Sequence, residues 1–224
     1  MQVTGRAEWL ASARALLSHR PSAGRGQWEQ PPLSVVSVSS GPADRIEVCR
    51  RDPTILFILG AIYNLPEVCA AYGIRGSGLR AQGSGQLPRA MWGVERDSSD
   101  VAPNDRAGAL LALYLAHGMR PFQDLNGAFV LGVWDARNRQ FRLMTDRLAL
   151  RRVYYAAVRD GLVFGSEVKP LLAHPEVSRT VDLEGLGQFL ETGHLLGDQT
   201  YYESIRWLPG GSILSYSLET SRVT

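Results

Sequence analysis

Residues able to perform nucleophilic or metal-dependent chemistry are few and widely spaced in this sequence of 224 residues. The two cysteines, Cys49 and Cys69, have neither a CxxC spacing nor a histidine nearby, so we expect buried free thiols rather than a disulfide or a metal site. The histidines have no second ligand at metal-binding spacing, and each is expected on the surface or at the end of an element: His19, His117, His174 and His194. The sequence therefore predicts no metal and no cofactor held by this chain.

Composition and charge are those of an ordinary globular domain, with 45% hydrophobic residues, 21% charged residues and a formal net charge of +2. The arginines are spread along the chain and the aromatic residues are interleaved with apolar ones, which argues against a nucleic-acid binder. No stretch approaches the roughly 18 apolar residues of a membrane span, and the N-terminus lacks a basic start followed by a long apolar run. We expect a cytoplasmic protein; the composition does not determine its oligomeric state.

The first half of the chain combines two predicted helices with three predicted strands. Apolar residues at helical spacing predict a helix over Ala7–Ser18, which Pro21 and the following glycines end before a loop. The extended segments LSVVSVSS, RIEVC and TILFILG, beginning at Leu33, are rich in β-branched residues and predict successive strands. A long irregular loop is expected over about residues 75–104, and a helix over Asp105–His117.

The second half predicts two antiparallel hairpins, over Phe129–Met144 and over Val153–Ser166 with a turn at Asp160-Gly161. A further amphipathic helix is expected over Val181–Glu191, followed by a last strand after Pro209. Because strands run in blocks rather than alternating with helices, this order favours an α+β fold with two mainly antiparallel sheets. We expect one domain over residues 1–224.

The apolar members of these alternating and helical patterns are predicted to be buried. They are Phe129, Leu131, Val133, Phe141, Leu143, Val163, Phe189 and Leu214.

Five segments, taken together and in order, resemble the N-terminal glutaminase domain of the asparagine synthetase family. The densest likeness is LNGAFVLGVWDARNRQFRLMTDRLALRRVYY, which is similar to the family's hairpin and its Arg-Asp-x-Leu-Gly turn. FGSEVKPLLAHPEV resembles the Ala-Ser-Glu-x-Lys segment, and TYYESIRWLPGGSIL the closing Leu-Pro-Pro-Gly stretch. Upstream, ILGAIYN is similar to Asn-Gly-Glu-Ile-Tyr-Asn and LLSHRPSAGRGQW to the His-Arg-Gly-Pro-Asp region. Five segments in the family's order are far more specific than one motif.

The resemblance implies a four-layer αββα N-terminal-nucleophile fold with two stacked sheets. In active members an N-terminal Cys attacks the glutamine amide, its own α-amino group is the base, and backbone and Asn donors stabilise the oxyanion. The ammonia released then reaches a synthetase domain that uses ATP and Mg.

The nucleophile that the resemblance requires is missing, because Gln2 follows the initiator Met. A late start codon is one explanation, since the strand that normally precedes the first helix is not evident. Catalytic residues are therefore predicted to be absent from this chain as it stands.

Three further departures concern the glutamine pocket that the resemblance implies. Pro32 stands where the family has the Arg that binds the glutamine carboxylate. Leu59 stands at the Asn that donates to the oxyanion, and Ala61 at the Glu that helps to recognise the α-amino group, whereas Gly60 matches the family. The acidic residue of the family's Ser-Asp element is sought at Asp105 or Asp100. The sequence therefore predicts a degenerate glutamine pocket.

Other family-like residues persist, mostly in the second half, and we interpret them as scaffold because buried charges need partners. They are Tyr63, Asn64, Asp146, Arg147, Tyr154, Tyr155, Ser166, Glu167 and Lys169.

Three hypotheses follow. In the first, the chain is a pseudo-glutaminase that supports an adenylating synthetase domain in cis or in trans, as in β-lactam synthetases and lasso-peptide macrolactam cyclases. The Ser-Gly-Gly-x-Asp-Ser pyrophosphate loop is absent from these 224 residues, so ATP and Mg are expected only in that partner. In the second, it is a working glutaminase domain of an asparagine synthetase with an incomplete N-terminus. In the third, it is a free-standing binding protein.

Overall fold

The computed structural model describes residues 4–17, 24–30, 33–39, 46–74, 105–159 and 161–224. Five α-helices and one short 3₁₀-helix, Arg120–Asp124, lie in these ranges. The α-helices are α1 (Thr4–Leu17), α2 (Leu65–Ala71), α3 (Arg106–His117), α4 (Val168–Leu172) and α5 (Leu183–Thr192).

Eleven strands in the described residues form three antiparallel sheets. The strands are β1 (Gly24–Gln30), β2 (Leu33–Ser39), β3 (Ile46–Arg51), β4 (Thr54–Ile62), β5 (Gly127–Asp135), β6 (Gln140–Thr145), β7 (Tyr154–Val158), β8 (Gly161–Gly165), β9 (Arg206–Trp207), β10 (Ile213–Ser217) and β11 (Arg222–Val223). A six-stranded sheet has the order β11-β10-β6-β5-β4-β3, a three-stranded sheet has the order β8-β7-β9, and β1 pairs with β2.

The six-stranded sheet buries both of its faces, because apolar residues occupy successive positions of its central strands. Along β4, Leu56 and Ile58 belong to the apolar cluster that contains the buried residues of α2 and α3. Ile55 and Phe57 point the other way, into a cluster with Val153 of the chain segment just before β7. Since successive strand residues face opposite sides, this pattern sandwiches the sheet between a helical layer and a second sheet.

Aromatic rings join the two sheets across their interface. Phe57 of the six-stranded sheet and Phe164 of the three-stranded sheet stack with centroids 5.9 Å apart, and Phe141 lies 5.3 Å from Phe164. The Phe57 ring covers Gly132, where an added Cβ would lie 2.2 Å from the ring carbons. Glycine on β5 therefore makes the room that this stack requires.

The outer face of the three-stranded sheet carries a second helical layer. Ala156 and Val163 pack there with Leu171 of α4 and with the half-buried Trp9 of α1. Trp9 Nε1 also donates to the Pro170 carbonyl at 3.1 Å. The order of layers is thus helix, sheet, sheet, helix, which confirms the predicted α+β class and αββα architecture.

Both predicted hairpins are confirmed as β5–β6 and β7–β8, although Asp160 lies outside the described residues. The predicted helices correspond to α1, α3 and α5, with ends that differ by at most three residues. The loop assigned after the first helix is wrong from Gly24, because residues 24–30 form β1 and pair with β2. Helices α2 and α4 were not predicted. The whole of the loop expected over residues 75–104 lies outside the described residues.

Seven of the eight residues predicted to be buried are buried: Phe129, Leu131, Val133, Phe141, Leu143, Val163 and Leu214. The prediction is wrong for Phe189, which is 37% exposed. Its ring has an edge-to-face contact with Tyr201, at a centroid distance of 5.4 Å, on a helix whose only buried residue is Gly185. The helical period was right, but the described part of the domain leaves most of the apolar side of α5 exposed.

Candidate functional site

The end of β4 is the centre of the candidate site, because Leu59, Gly60 and Ala61 occupy three successive positions there. Leu59 pairs with Ile46 on β3 and with Val130 on β5, so it lies within the sheet. Gly60 and Ala61 pair with Phe129 and Ala128 of β5. The backbone of all three residues therefore pairs with β5, and Leu59 pairs with β3 as well.

The Leu59 side chain is half-buried and packs against the apolar cluster between the two sheets, which includes Val130 and Leu208. A leucine there contributes buried apolar area and has no hydrogen-bond donor. The position that resembles the family's oxyanion donor is thus occupied by a packing residue.

Gly60 is required by the backbone rather than by a substrate. Its φ is +106°, and a Cβ built on it would lie 2.1 Å from the Ala128 carbonyl oxygen. The next pair is equally close, since a Cβ on Gly127 would lie 2.2 Å from the carbonyl oxygen of Ala61. These close approaches give a structural reason for glycine at position 60 whether or not glutamine binds.

A guanidinium group reaches the same segment from α3. Arg106 Nη1 donates to the Gly60 carbonyl oxygen at 2.9 Å, and Nε lies 3.1 and 3.2 Å from the two carboxylate oxygens of Glu47 on β3. Nη2 makes a further ion pair with Glu47. Arg106 therefore ties the first turn of α3 to β3 and β4 and satisfies the Gly60 carbonyl from within the protein.

Asp105 precedes Arg106 and begins α3. Its Oδ1 accepts a hydrogen bond from the Gly108 N–H at 2.9 Å, so the carboxylate caps the helix. This contact occupies one oxygen of the group that we proposed as the acidic pocket residue. Asp100, the alternative position, lies outside the described residues, as does Pro32.

Both cysteines are buried free thiols, as predicted. Burial raises the pKa of Cys49 to about 11, with a further contribution from the charge of Asp105, and burial alone raises the pKa of Cys69 to about 11. Because the thiolate is the nucleophilic form, neither residue can replace the N-terminal Cys of active family members at neutral pH.

The residues after β4 fasten its end to the start of β5. Asn64 Nδ2 donates to the Asp124 carbonyl at 2.8 Å, and Asn64 Oδ1 accepts from the Asn126 N–H at 2.7 Å. Tyr63 donates its N–H to the Asn126 carbonyl, while its side chain is 70% exposed. These contacts position the loop.

Asp146 organises the turn after β6. Its carboxylate accepts from the Leu148 and Leu150 N–H groups at 3.0 and 3.2 Å and from the Phe129 N–H at 3.2 Å. Phe129 is the β5 partner of Gly60, so Asp146 connects this turn to the candidate site. Arg147 is exposed and donates to the Gln123 carbonyl at 3.3 Å.

The remaining family-like residues lie on or beside the three-stranded sheet. Tyr154 and Tyr155 belong to β7, and Tyr154 packs against the outer apolar cluster of that sheet. Ser166 and Lys169 are exposed, and Glu167 is half-buried before α4. Tyr155 packs against the same inter-sheet cluster as Leu59. The scaffold role that we assign to these residues stays a prediction.

No group of three His, Cys, Asp or Glu side chains in the described ranges could hold a metal ion. His117 lies at the end of α3 with Nε2 2.9 Å from the Tyr72 carbonyl oxygen, and burial lowers the pKa of His174. No helix among the residues described is long and apolar enough to cross a membrane.

The site as a whole brings together Leu59, Gly60 and Ala61 with the start of α3. Sequence reasoning missed Arg106, because nothing in the sequence pairs it with Glu47, which lies 59 residues away. A charged residue directly after a helix-capping aspartate was the one indication available.

Comparison with known proteins gives three kinds of similarity. A family model described as a glutamine amidotransferase domain matches residues 98–224. Asparagine synthetase (glutamine-hydrolyzing) 3 of Bacillus subtilis (strain 168) is 36% identical over 161 residues, which are 72% of this chain and 23% of that protein. Asparagine synthetase (glutamine-hydrolyzing) 2 of the same organism is 26% identical over 117 residues, which are 50% of this chain and 16% of that protein. The chain thus spans less than a quarter of the length of these relatives.

Among solved structures, the glutamine phosphoribosylpyrophosphate amidotransferase of B. subtilis, complexed with ADP and GMP, matches with a TM-score of 0.44 and 14% identity. The match covers 85% of this chain and 33% of that one.

Proposed function

Because this chain belongs to the glutamine amidotransferase domains of the asparagine synthetase family, we propose that it is a glutaminase-type domain that does not hydrolyse glutamine and instead supports an amide-forming partner domain. The observation that carries the proposal is Leu59, a side chain without a donor that packs into the inter-sheet cluster at the position of the oxyanion amide.

The argument rests on stabilisation of the transition state. Attack on an amide places negative charge on the carbonyl oxygen, and removing one donor to that oxygen costs about a hundred- to a thousandfold in rate. Ala61 adds no polar group at the position of the amine-binding Glu, and Pro32 adds none at the position of the carboxylate-binding Arg. Glutamine would therefore have neither orientation nor charge stabilisation.

The polar groups that do remain near this segment are paired within the protein. The Gly60 carbonyl accepts from Arg106, the Arg106 charge is paired with Glu47, and an Asp105 oxygen caps α3. A ligand would have to displace these internal contacts. This arrangement supports the proposal that the domain acts through its fold and its surface rather than through a glutamine pocket.

The partner that we propose is an adenylating domain of the asparagine synthetase, lasso-peptide cyclase or β-lactam synthetase kind, in cis or in trans in the cytoplasm. ATP and Mg belong to that partner, because these 224 residues contain no Ser-Gly-Gly-x-Asp-Ser loop. The amine and the carboxylate that it joins are set by the partner's own site.

The test is glutamate release from glutamine by a variant whose processed N-terminus begins with Cys. We expect no measurable turnover, since the nucleophile and its amine base would be restored without the supporting donors. Turnover on the order of 1 per second or more by this variant would refute the proposal.

A combined variant serves as the matched comparison. It carries the same N-terminal Cys together with Pro32→Arg, Leu59→Asn and Ala61→Glu, and activity in this variant alone would locate the loss in the pocket. Because Leu59→Asn places an amide in an apolar cluster, the thermal midpoint of each variant is measured first, and activities are compared only at temperatures where both are folded.

A working glutaminase with an incomplete N-terminus is the second candidate, and the observation that favours it is the similarity to a relative named as glutamine-hydrolyzing. Under this hypothesis an upstream in-frame segment that begins with Cys restores turnover without any change at Pro32, Leu59 or Ala61. The same assay therefore separates the two functions.

A further inference from the structure

Helix α5 is only loosely attached to the rest of the domain. Gly185 is its only buried residue, and an added Cβ there would lie 2.9 Å from the Thr200 carbonyl oxygen. By contrast, seven of the twelve residues of α3 are buried. A ten-residue helix with so little burial gains almost no stability from the described part of its own domain.

The exposed side of α5 is apolar. Leu183, Leu186 and Leu190 follow each other at intervals of three and four residues, so they share one face of the helix. Leu183 is 77% exposed and Leu190 is 76% exposed, about 10 Å apart along the helix axis. Two leucines of a stripe that ordinarily turns toward a core are thus presented to solvent, whereas Leu186 between them is half-buried.

Hydrogen bonds hold two further exposed apolar residues beside the helix. The Asp182 N–H donates to the Tyr201 carbonyl at 3.0 Å, which holds Tyr201 beside the start of the helix. The Leu196 N–H donates to Gln188 Oε1 at 3.3 Å, which holds Leu196 beside its middle. We define the α5 surface as Val181, Leu183, Phe189, Leu190, Leu196 and Tyr201, all of them exposed.

We propose that the α5 surface is the docking site of the amide-forming partner domain, an inference that rests on the proposed function. The relatives are more than four times as long as the segment that this chain matches, so in them the segment is joined to a much larger remainder. Domains joined in one chain pack against each other through interfaces that resemble those between separate proteins in transient complexes.

Charge argues for such a partner over a second copy of this chain. Helix α5 carries Glu184 and Glu191 and has no Lys or Arg. Two copies of α5 packed against each other would bring these four carboxylates together without a cation on either helix. A partner surface with an apolar centre and a basic rim fits the α5 surface better.

The experiment measures binding of the purified chain to the adenylating polypeptide encoded by the same reading frame or by its neighbour. The double variant Leu183→Ser/Leu190→Ser is expected to bind at least tenfold more weakly than the wild type, with an unchanged thermal midpoint. The matched control is Leu148→Ser/Leu150→Ser, which also removes two exposed leucines, 76% and 61% exposed, from another surface. This control is expected to bind like the wild type.

Each other outcome identifies what is wrong. Equal binding by the α5 variant and the wild type, or loss of binding in the control alone, overturns the assignment of the surface while the proposed function stands. Failure of the wild-type chain to bind the adenylating polypeptide, or the lack of any such polypeptide, overturns the proposed function as well. A wild-type dimer in light scattering that the α5 variant abolishes assigns the surface to a second copy and overturns the proposal.

Discussion

Gly60 illustrates how a residue shared with a catalytic motif can be required by the backbone alone. We expect Gly60→Ala to lower the free energy of unfolding by roughly 3 kcal/mol or more, because its Cβ would overlap the Ala128 carbonyl on the neighbouring strand. The measurement is chemical denaturation followed by circular dichroism.

Gly73→Ala is the control for this prediction. Gly73 also has a positive φ, +72°, but nothing lies within 4 Å of an added Cβ, so its cost should be about 1 kcal/mol from backbone strain. Equal losses at the two positions would show that the approach of β5 to Gly60 is not what requires glycine there.

The Arg106–Glu47 pair should contribute modestly to stability despite its multiple hydrogen bonds. The two side chains are 29% and 35% exposed, so solvent screens much of their attraction. A double-mutant cycle with Arg106→Met and Glu47→Gln should give a coupling energy on the order of 1 kcal/mol.

The single variants of this pair should be unequal. Arg106→Met also removes the donor to the Gly60 carbonyl and should therefore cost more than Glu47→Gln. A coupling energy near zero in thermal denaturation would mean that the pair does not hold α3 against β3.

At the scale of elements, a polar network joins α3 to the β5–β6 hairpin. Tyr114 of α3 donates to Asp135 Oδ2 at 3.0 Å and accepts from Arg142 Nη1 at 2.8 Å. Asp135 also accepts from Asn138 Nδ2 at 2.8 Å and from the Arg137 N–H at 3.0 Å. The carboxylate thus fixes both the turn of the hairpin and the helix that covers it.

This network makes stability depend on pH in the acid range. Burial raises the pKa of Asp135, but the hydrogen bonds from Asn138 and Tyr114 outweigh it and hold the pKa below the ordinary value of 3.8. A lowered pKa in the folded state stabilises the protein above the unfolded-state pKa, and this contribution is lost as pH falls through the folded-state value.

We therefore expect Asp135→Asn to lower the free energy of unfolding by about 2 kcal/mol near neutral pH and by less at lower pH. The difference between wild type and variant should shrink between about pH 4 and pH 2. A difference that stays constant over this interval would show that the charge of Asp135 does not contribute.

Sequence patterns predicted those elements that carry a long apolar run or clear end signals within their own segment. The hairpins β5–β6 and β7–β8 have long apolar runs separated by short polar turns, and α3 has a capping aspartate and a terminal glycine. Strand β1, by contrast, contains two glycines and only one apolar residue, Trp28, so its strand state depends on pairing with β2. A pattern within one segment carries no information about such a partner.

The contacts of the candidate site could not be predicted from the sequence, and its assignment as a glutamine pocket stays a prediction. The resemblance selected Leu59, Gly60 and Ala61, which are successive residues and therefore lie side by side at the end of β4. The contacts of Arg106 with Glu47 and with the Gly60 carbonyl depend on the register of β3 against β4 and on the packing of α3. Both are long-range features. That Gly60 is required by the close approach of β5 could be recognised only once the position of that strand was known.

Across the whole molecule, burial is distributed unevenly among the helices. Helix α3 closes one face of the six-stranded sheet with side chains that are almost fully buried, including Leu110 and Leu113. Helix α5 exposes most of its apolar side chains. It contacts the rest of the domain through Gly185 and through backbone hydrogen bonds of the residues that flank it. Local stability should follow the same distribution, because segments with few buried contacts open at low free energy.

Hydrogen exchange tests this distribution within a single sample. We expect the backbone amides in the middle of α5 to be protected at least about a hundredfold less than those in the middle of α3, after correction for intrinsic rates. Opening of α5 exposes little additional apolar surface, since Leu183 and Leu190 are already exposed, whereas opening of α3 exposes the core on the helical face of the sheet. Protection of α5 equal to that of α3 in the isolated chain would mean that the helix is already covered, and the α5 surface would then not be free to bind a partner.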